Sequence, residues 1–405
     1  MKFYKAGHVF LVSATALILA TAFTACSPIT IDFVFVAGNK SNPGQIQVFR
    51  ADRRTGALNP VGAPISSGGT GAVPVSEAVS TDFKYLYVAN QGDNTVVQFT
   101  ISDTGGLTVA NTVTLGSAGN TPVSIAMNTQ GTLLYVANLY QPGCTTATTI
   151  APTCNGGALA VFPVGSDGSL GSPVANGSLN YWPVGINPTS VNALASGAAA
   201  FVSTYDPTAG LGYIYSFFAT SGGALGPATG SPYLAGVKPV AVTSTPTSRF
   251  VYVTDYSQNE LIAYSVLDSG ALHPLINGPF KTGNEPTAIT VDPRGIYLYV
   301  ANQLDNTVSA YAIDLATGTP TAAVNTSGSS VNSTGTEPVA IIVEPSFGRY
   351  VYTANFLDNS VTGFTLSTNT GTLAPTVNGP YPTVGQAAAL AAVPHGNHAI
   401  EIDQP

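Results

Sequence analysis

The sequence predicts an all-β chain, a seven-bladed β-propeller built of four-stranded antiparallel blades. Three observations predict it. One aromatic phrase is written seven times, at intervals of about 50 residues. Around each full copy lie four strand-like stretches bounded by Gly, Pro, Asn and Asp. The first copy lacks one of these stretches and the C-terminus carries a spare one, so the two ends complete a single blade and leave no open edge.

The copies are "FVFVAGN" at Phe33, "YLYVANQ" at Tyr85, "LLYVANL" at Leu133, "AFVSTYD" at Ala200, "FVYVTDY" at Phe250, "YLYVANQ" at Tyr297 and "YVYTANF" at Tyr350. In each full unit, strand A follows a proline, as in "EPTAITV" from Glu285, and a turn such as "DPRG" leads to the aromatic strand B. An Asn/Asp turn joins B to strand C ("NTVSAYAI"), and a "TG" or "GG" turn joins C to strand D. The first unit has strand B (Phe33 to Val36), strand C (Gln45 to Arg50) and strand D near Leu58. The spare strand A is "VGQAAALAAVP", Val384 to Pro394. A solenoid would need distinct capping repeats, and none is written here.

Composition agrees. Only 8% of the 405 residues are charged, Gly numbers 43 and Pro 29, and no long amphipathic helical pattern occurs. The net charge of −8 without a basic stripe argues against nucleic acid as a partner.

The N-terminus carries Lys2 and Lys5, an apolar run from Val9 to Ala22, and then "FTAC", Phe23 to Cys26. The run is short and ends in small residues, which reads as an export signal over residues 1–25. It resembles a bacterial lipoprotein signal, with Phe23 where the family usually has Leu. That resemblance implies that Cys26 becomes the lipidated first residue and that a lipid anchor is the chain's membrane contact. Ordinary signal cleavage is the alternative. The expected product is an exported lipoprotein of the cell envelope, in the periplasm or at the surface, with the propeller over 26–394 and a tail over 395–405.

Cys144 and Cys154 lie in a segment that interrupts the third unit. In an oxidising compartment two cysteines in one loop pair, and neither His nor further Cys stands nearby to build a metal site. A disulfide is expected there, and no metal.

Connectivity puts the B–C loops and the residues just before each strand A proline on one face, the top. Those residues are Val73, Thr121, Trp182, Lys238, Glu285 and Glu337, with Gly385 as counterpart in the closing blade, where Gln386 replaces the proline. Trp182, Lys238, Glu285 and Glu337 therefore form a candidate ligand site along one arc of the channel mouth. Asp93, Asp305 and Asp358, each followed by Asn, read as turn residues rather than a ring of metal ligands. Arg53, Arg54, Arg249, Arg294 and Arg349 map to the bottom turns. Glu77, inside a strand A, either projects toward the channel or is paired there.

The "LYVAN", "TVxxF" and "TGxL" phrases resemble the lactonase-type seven-bladed propellers, which include 6-phosphogluconolactonase relatives and YVTN-repeat surface proteins. The resemblance implies a lactone-opening activity resting on Arg and His just after a strand A proline, with a Glu nearby. Here those positions hold Val75, Val123, Val184, Val240, Thr287 and Val339. The four histidines, His8, His273, His395 and His398, lie elsewhere. One Trp cannot form the stacking set of a quinone-dependent propeller, so no cofactor is expected. No serine-nucleophile, zinc or phosphate-loop motif is evident. The leading expectation is a module that binds a small molecule, a glycan or an envelope protein at its top face. The alternative is a lactone hydrolase with Glu285 or Glu337 as base and Lys238 polarising the carbonyl.

Overall fold

The computed structural model describes residues 29–148, 153–220 and 222–395. The expected signal over 1–25, Cys26, His8, His398 and the tail from 396 lie outside the described residues. Seven antiparallel sheets stand around one axis. Their inner strands, Pro74–Val79, Asn120–Met127, Pro188–Ala193, Pro239–Ser244, Pro286–Val291, Pro338–Val343 and Ala387–Pro394, all border a central channel. The last of these pairs with Thr30–Gly38, placing Leu390 opposite Val36 and Val393 opposite Phe33. Gln45–Asp52 and Leu58–Ser66 complete that sheet, so the ring closes as the sequence predicts. We number this closing blade 1 and the others 2 to 7 along the chain.

The recurring phrase has a structural reason. A residue at the head of each strand B, its first in blades 2 to 7 and Phe33 in blade 1, packs on a C–D turn glycine of the next blade, in seven pairs that run full circle. Tyr350 meets Gly56, Phe33 meets Gly105, Tyr85 meets Gly168 and Leu133 meets Gly223. Ala199, Phe250 and Tyr297 meet Gly270, Gly318 and Gly371. These glycines have φ between 66° and 83°, which L side chains rarely adopt, and a Cβ on any of them would meet the neighbouring side chain at or inside ordinary contact distance. Two residues further along strand B, a tyrosine hydroxyl donates to the same glycine's carbonyl: Tyr87 to Gly168 (2.6 Å), Tyr252 to Gly318 (2.7 Å), Tyr299 to Gly371 (2.9 Å) and Tyr352 to Gly56 (2.8 Å). Blade 4 uses Ser216, donating to Gly270 at 2.5 Å. Between neighbouring blades lie seven apolar clusters, one per interface.

Two expectations need correction. The outer strand is not one stretch in blades 4 to 7. In blade 5 it is split into Leu272–Pro274 and Phe280–Lys281, both paired with Glu260–Val266. Pro274 and Pro279 have no N–H to donate to a ladder. Blade 4 is also shifted. Trp182–Val184 is the outer strand of blade 3, and the inner strand of blade 4 begins at Pro188. "WPVGINP" holds two prolines, and the later one heads the strand. Strand B of that blade starts at Ala199, one residue before the copy assigned from sequence.

Several of the bottom turns between strands A and B are tied by one polar side chain. Asn128 Oδ1 accepts the N–H groups of Thr132 and Leu133, and Asp292 Oδ1 those of Ile296 and Tyr297. Asp292 also pairs with Arg294 at 2.6 Å, both side chains buried. In blade 7 Glu344 accepts from the N–H groups of Phe347 and Arg349. There it meets the closing seam. Asp32 of blade 1 is fully buried, accepts from Ser346 Oγ at 2.6 Å and stands against Glu344. Burial, then the Glu344 carboxylate, push the Asp32 carboxyl well above the usual range.

Cys144 and Cys154 form the expected disulfide, with Cα atoms 5.7 Å apart. It sits in the B–C loop of blade 3, where Asn120 Nδ2 donates to Cys144 O at 2.8 Å. Replacing both cysteines by Ser is expected to cost about 2–3 kcal/mol and to leave one cooperative unfolding transition. Calorimetry checks it, and a split transition would mean that the loop carries more of the fold.

The seam gives a pH prediction. Folded, Asp32 keeps its proton at pH values where the unfolded chain has released it. Unfolding therefore releases a proton, and this contribution to stability, whole below about pH 4, is lost as pH rises through the folded pKa. Asp32→Asn keeps the Ser346 bond and removes the titration. Denaturant titrations across pH should show the slope flattened by up to about 1.4 kcal/mol per pH unit in the variant. Parallel wild-type and variant curves would contradict the assignment.

Candidate functional site

Each blade brings two residues to the top rim: the one before strand A and the one after strand B. In six blades the backbone joins them, the later N–H donating to the earlier carbonyl. The pairs are Gln91 to Val73 (2.7 Å), Tyr205 to Asn187 (3.3 Å), Tyr256 to Lys238 (2.9 Å), Gln303 to Glu285 (2.8 Å), Phe356 to Glu337 (2.8 Å) and Asn39 to Gln386 (3.2 Å). Lys238, Glu285 and Glu337 stand on this rim as expected. Trp182 does not. It is buried between blades 3 and 4 and its indole N–H donates to Leu225 O at 2.8 Å, so Asn187 holds the rim position. The channel residue after that proline is Thr189, not Val184. In the closing blade the rim residue is Gln386, and Ala387 replaces the proline, one residue later than expected.

The B–C turn asparagines do more than bend the chain. Asn94, Asn259 and Asn306 each accept, through the side-chain oxygen, the N–H of the next blade's rim residue: Thr121, Glu285 and Glu337, at 2.8–2.9 Å. This holds Glu285 and Glu337 at φ of 54° and 55°, a conformation that costs a non-glycine residue about 1 kcal/mol or more. The aspartates fasten the same segment. Asp305 accepts from the backbone and side chain of Asn284 at 2.7 and 2.8 Å, and Asp358 from Thr336 N at 2.5 Å. Among the described residues no three His, Cys, Asp or Glu side chains gather as a metal site.

Along blades 4 to 7 one relation repeats: the residue after strand B reaches the rim residue of the next blade. Tyr205 lies 5.7 Å from Lys238 Nζ, which also sits 4.1 Å over the ring of Tyr256. Tyr256 donates its hydroxyl to Glu285 Oε2 at 2.7 Å, and Gln303 Nε2 approaches Glu337 Oε2 at 3.4 Å. Desolvation, then the Glu285 bond, push the Tyr256 hydroxyl up to about 12, so it stays a donor at neutral pH. Buried Asp255 receives the N–H groups of Val237 and Lys238 and so positions the lysine backbone. All six of these rim side chains are half-buried. Tyr205, Tyr256 and Gln303 escaped the sequence reading, although each lies at the end of the recurring phrase.

Below the rim the channel holds about 220 Å³ and is lined by Val, Ser, Thr, Ala, Ile and Leu, with Glu77. No Arg or His stands there. His273 is in an outer strand and His395 packs edge-on against Phe33. The site can offer hydrogen bonds, an ammonium group and two carboxylates, but no imidazole base.

A family model described as lactonase, seven-bladed β-propeller matches residues 72–141 and 235–387. A search of curated proteins finds no match. Among solved structures, the periplasmic gluconolactonase of Pseudomonas aeruginosa superposes with a TM-score of 0.71 at 20% identity, covering 90% of this chain and 99% of that one. A candidate 6-phosphogluconolactonase of Bacteroides fragilis gives 0.69 at 21%, covering 91% and 99%. A protein of Lactobacillus plantarum gives 0.69 at 17%, covering 90% and 100%. At such identities these likenesses speak for the fold alone. The family match spans more than half of the chain and agrees with the blade count and the ring closure: the chain belongs to the lactonase family of seven-bladed β-propellers.

Proposed function

We propose that the protein is an exported propeller that binds a small polyhydroxylated ligand, such as a sugar ring or the end of a glycan, at its top mouth. The observation that carries this reading is the Lys238–Tyr256–Glu285 chain, continued by Gln303 and Glu337, on three consecutive blades of one rim. Aromatic faces suit the apolar side of a sugar ring, and carboxylates accept its hydroxyl protons. The rim residues are fastened through the backbone before any ligand arrives, so little ordering remains to be done on binding. Export and a lipid anchor at Cys26 are part of the proposal. They are supported by the N-terminal pattern, by the disulfide and by the periplasmic Pseudomonas relative.

Family membership favours a second reading, a lactone hydrolase. Glu285 would take a proton from water as the oxygen attacks the lactone carbonyl. The ring C–O bond would then break to give the open hydroxy acid, with Lys238 next to the carbonyl oxygen.

One experiment separates the two. Aldonolactones and sugar acids are titrated calorimetrically into wild type, Glu285→Gln and Glu337→Gln, and lactone opening is followed by acid release. The binding reading expects no turnover above background, and affinity reduced about tenfold or more in either variant, which is about 1.4 kcal/mol. Wild-type turnover that falls about 10²–10⁴-fold in a variant would replace it with the hydrolase. Binding untouched by both substitutions would place the ligand elsewhere.

A further inference from the structure

Counted from the strand A proline, or from Ala387 in the closing blade, six blades put an apolar side chain at the fourth position of the inner strand: Ile125, Val191, Val242, Ile289, Ile341 and Leu390. Blade 2 puts Glu77 there, opposite Val88. The apolar members pack toward the preceding blade, as Ile125 does against Tyr87 and Ala89, so the same register turns Glu77 toward blade 1. It also borders the central channel. Both its carboxyl oxygens are buried, and no protein donor lies within hydrogen-bond reach of either. A carboxylate so placed lacks a counter-charge, which costs several kcal/mol or so.

The surroundings do not supply that charge. The other channel-lining residues are all uncharged. Among the strands packed on Pro74–Val79, Asn120–Met127 and Ala387–Pro394 carry no titratable side chain. Tyr85–Asn90 carries Tyr85 and Tyr87, the latter bonded to Gly168 O. Thr30–Gly38 carries Asp32 at its far end, opposite Pro394. The channel offers oxygen instead. Ser76 and Ser124 hydroxyls stand on it, already receiving the N–H groups of Ile125 and Val191, and Thr189 and Thr287 turn their hydroxyls to the carbonyls of Pro239 and Pro338. Above it the rim carries Glu285 and Glu337, while Lys238 is turned onto two tyrosine rings.

We propose that the channel beside Glu77 is a binding site for a small monovalent cation, taken up against the Glu77 carboxylate in exchange for its proton. The cation enters from the acidic rim, Glu77 releases its proton to solvent, and the net charge of the site is unchanged. One carboxylate among hydroxyls and carbonyls does not match calcium, which takes about 6–8 oxygen ligands, commonly with several carboxylates. A channel of about 220 Å³ has room for the ion and several waters, each filling about 30 Å³. Desolvation alone pushes Glu77 up to about 8. Proton and cation therefore compete at neutral pH, and uptake strengthens as pH rises toward 8.

The test uses the full chain and three probes: potassium chloride, sodium chloride and methylammonium chloride. Thermal unfolding is followed against probe concentration at about pH 6 and about pH 9, in wild type and in Glu77→Leu, which restores the residue class of the other six blades. The expected result is a rise in Tm with probe for wild type at the higher pH, weakened about tenfold or more in apparent affinity at the lower, and absent from the variant. Potassium or sodium acting alone identifies a metal ion, and methylammonium acting better identifies an organic ammonium. In weak buffer near pH 7, wild type should release about one proton per cation bound. Glu285→Gln and Glu337→Gln should keep the response, which separates this site from the mouth. No response by wild type at the higher pH overturns the proposal, as does an equal response in Glu77→Leu. Should Glu77→Leu fail to fold, proton release by wild type still decides, and its absence overturns the site.

Discussion

The ring rests on a contact repeated at every blade junction: the head of strand B pressed onto the C–D turn glycine of the next blade. The glycine is required twice over, because the turn needs φ > 0 and because a Cβ would strike the neighbour. Once the pair forms, a tyrosine hydroxyl two residues further along strand B finds the glycine carbonyl in four of the junctions, and Ser216 of strand C does so in a fifth. Each such bond is worth about 1 kcal/mol, so the lock acts less by strength than by fixing the angle between blades. Blade 3 presents Leu133 to Gly223 and leaves the buried Tyr135 hydroxyl without a partner. That exception falls at the blade whose B–C loop is lengthened and stapled by Cys144–Cys154.

With the angle between blades fixed, the rim follows. Every blade delivers one residue before strand A and one after strand B, and in blades 2, 5 and 6 the turn asparagine ties the blade to the next. The scaffold also accepts uncharged side chains there, as Val73 and Thr121 on the other arc show. The family's fold is complete here, and the channel residues after the strand A prolines are Val and Thr. A Lys, a Tyr and two Glu give the rim its polar surface.

Fold, blade number, ring closure and the disulfide were legible because each leaves a local mark: a repeated phrase, a missing and a spare strand, two cysteines in one loop. Trp182 was misplaced because "WPVGINP" offers two prolines and only pairing with Ala199–Asp206 selects the second. Gln386 was misread by one position because the closing strand has no proline to mark its head. The partners Tyr205, Tyr256 and Gln303 were hidden for a different reason. They stand at the end of the phrase in their own blades, but the contact they make is with the next blade, and that offset is a property of the ring rather than of any segment.

The account stands or falls on where a ligand sits. A crystal structure of the wild-type chain grown with a sugar acid is the most direct measurement. The account predicts density at the top mouth, one face of the ring against Tyr256 and the hydroxyls on Glu285 and Glu337. Density only in the outer groove between blades 5 and 6, lined by Lys281, Asp305, Ser309 and Tyr311, would contradict it.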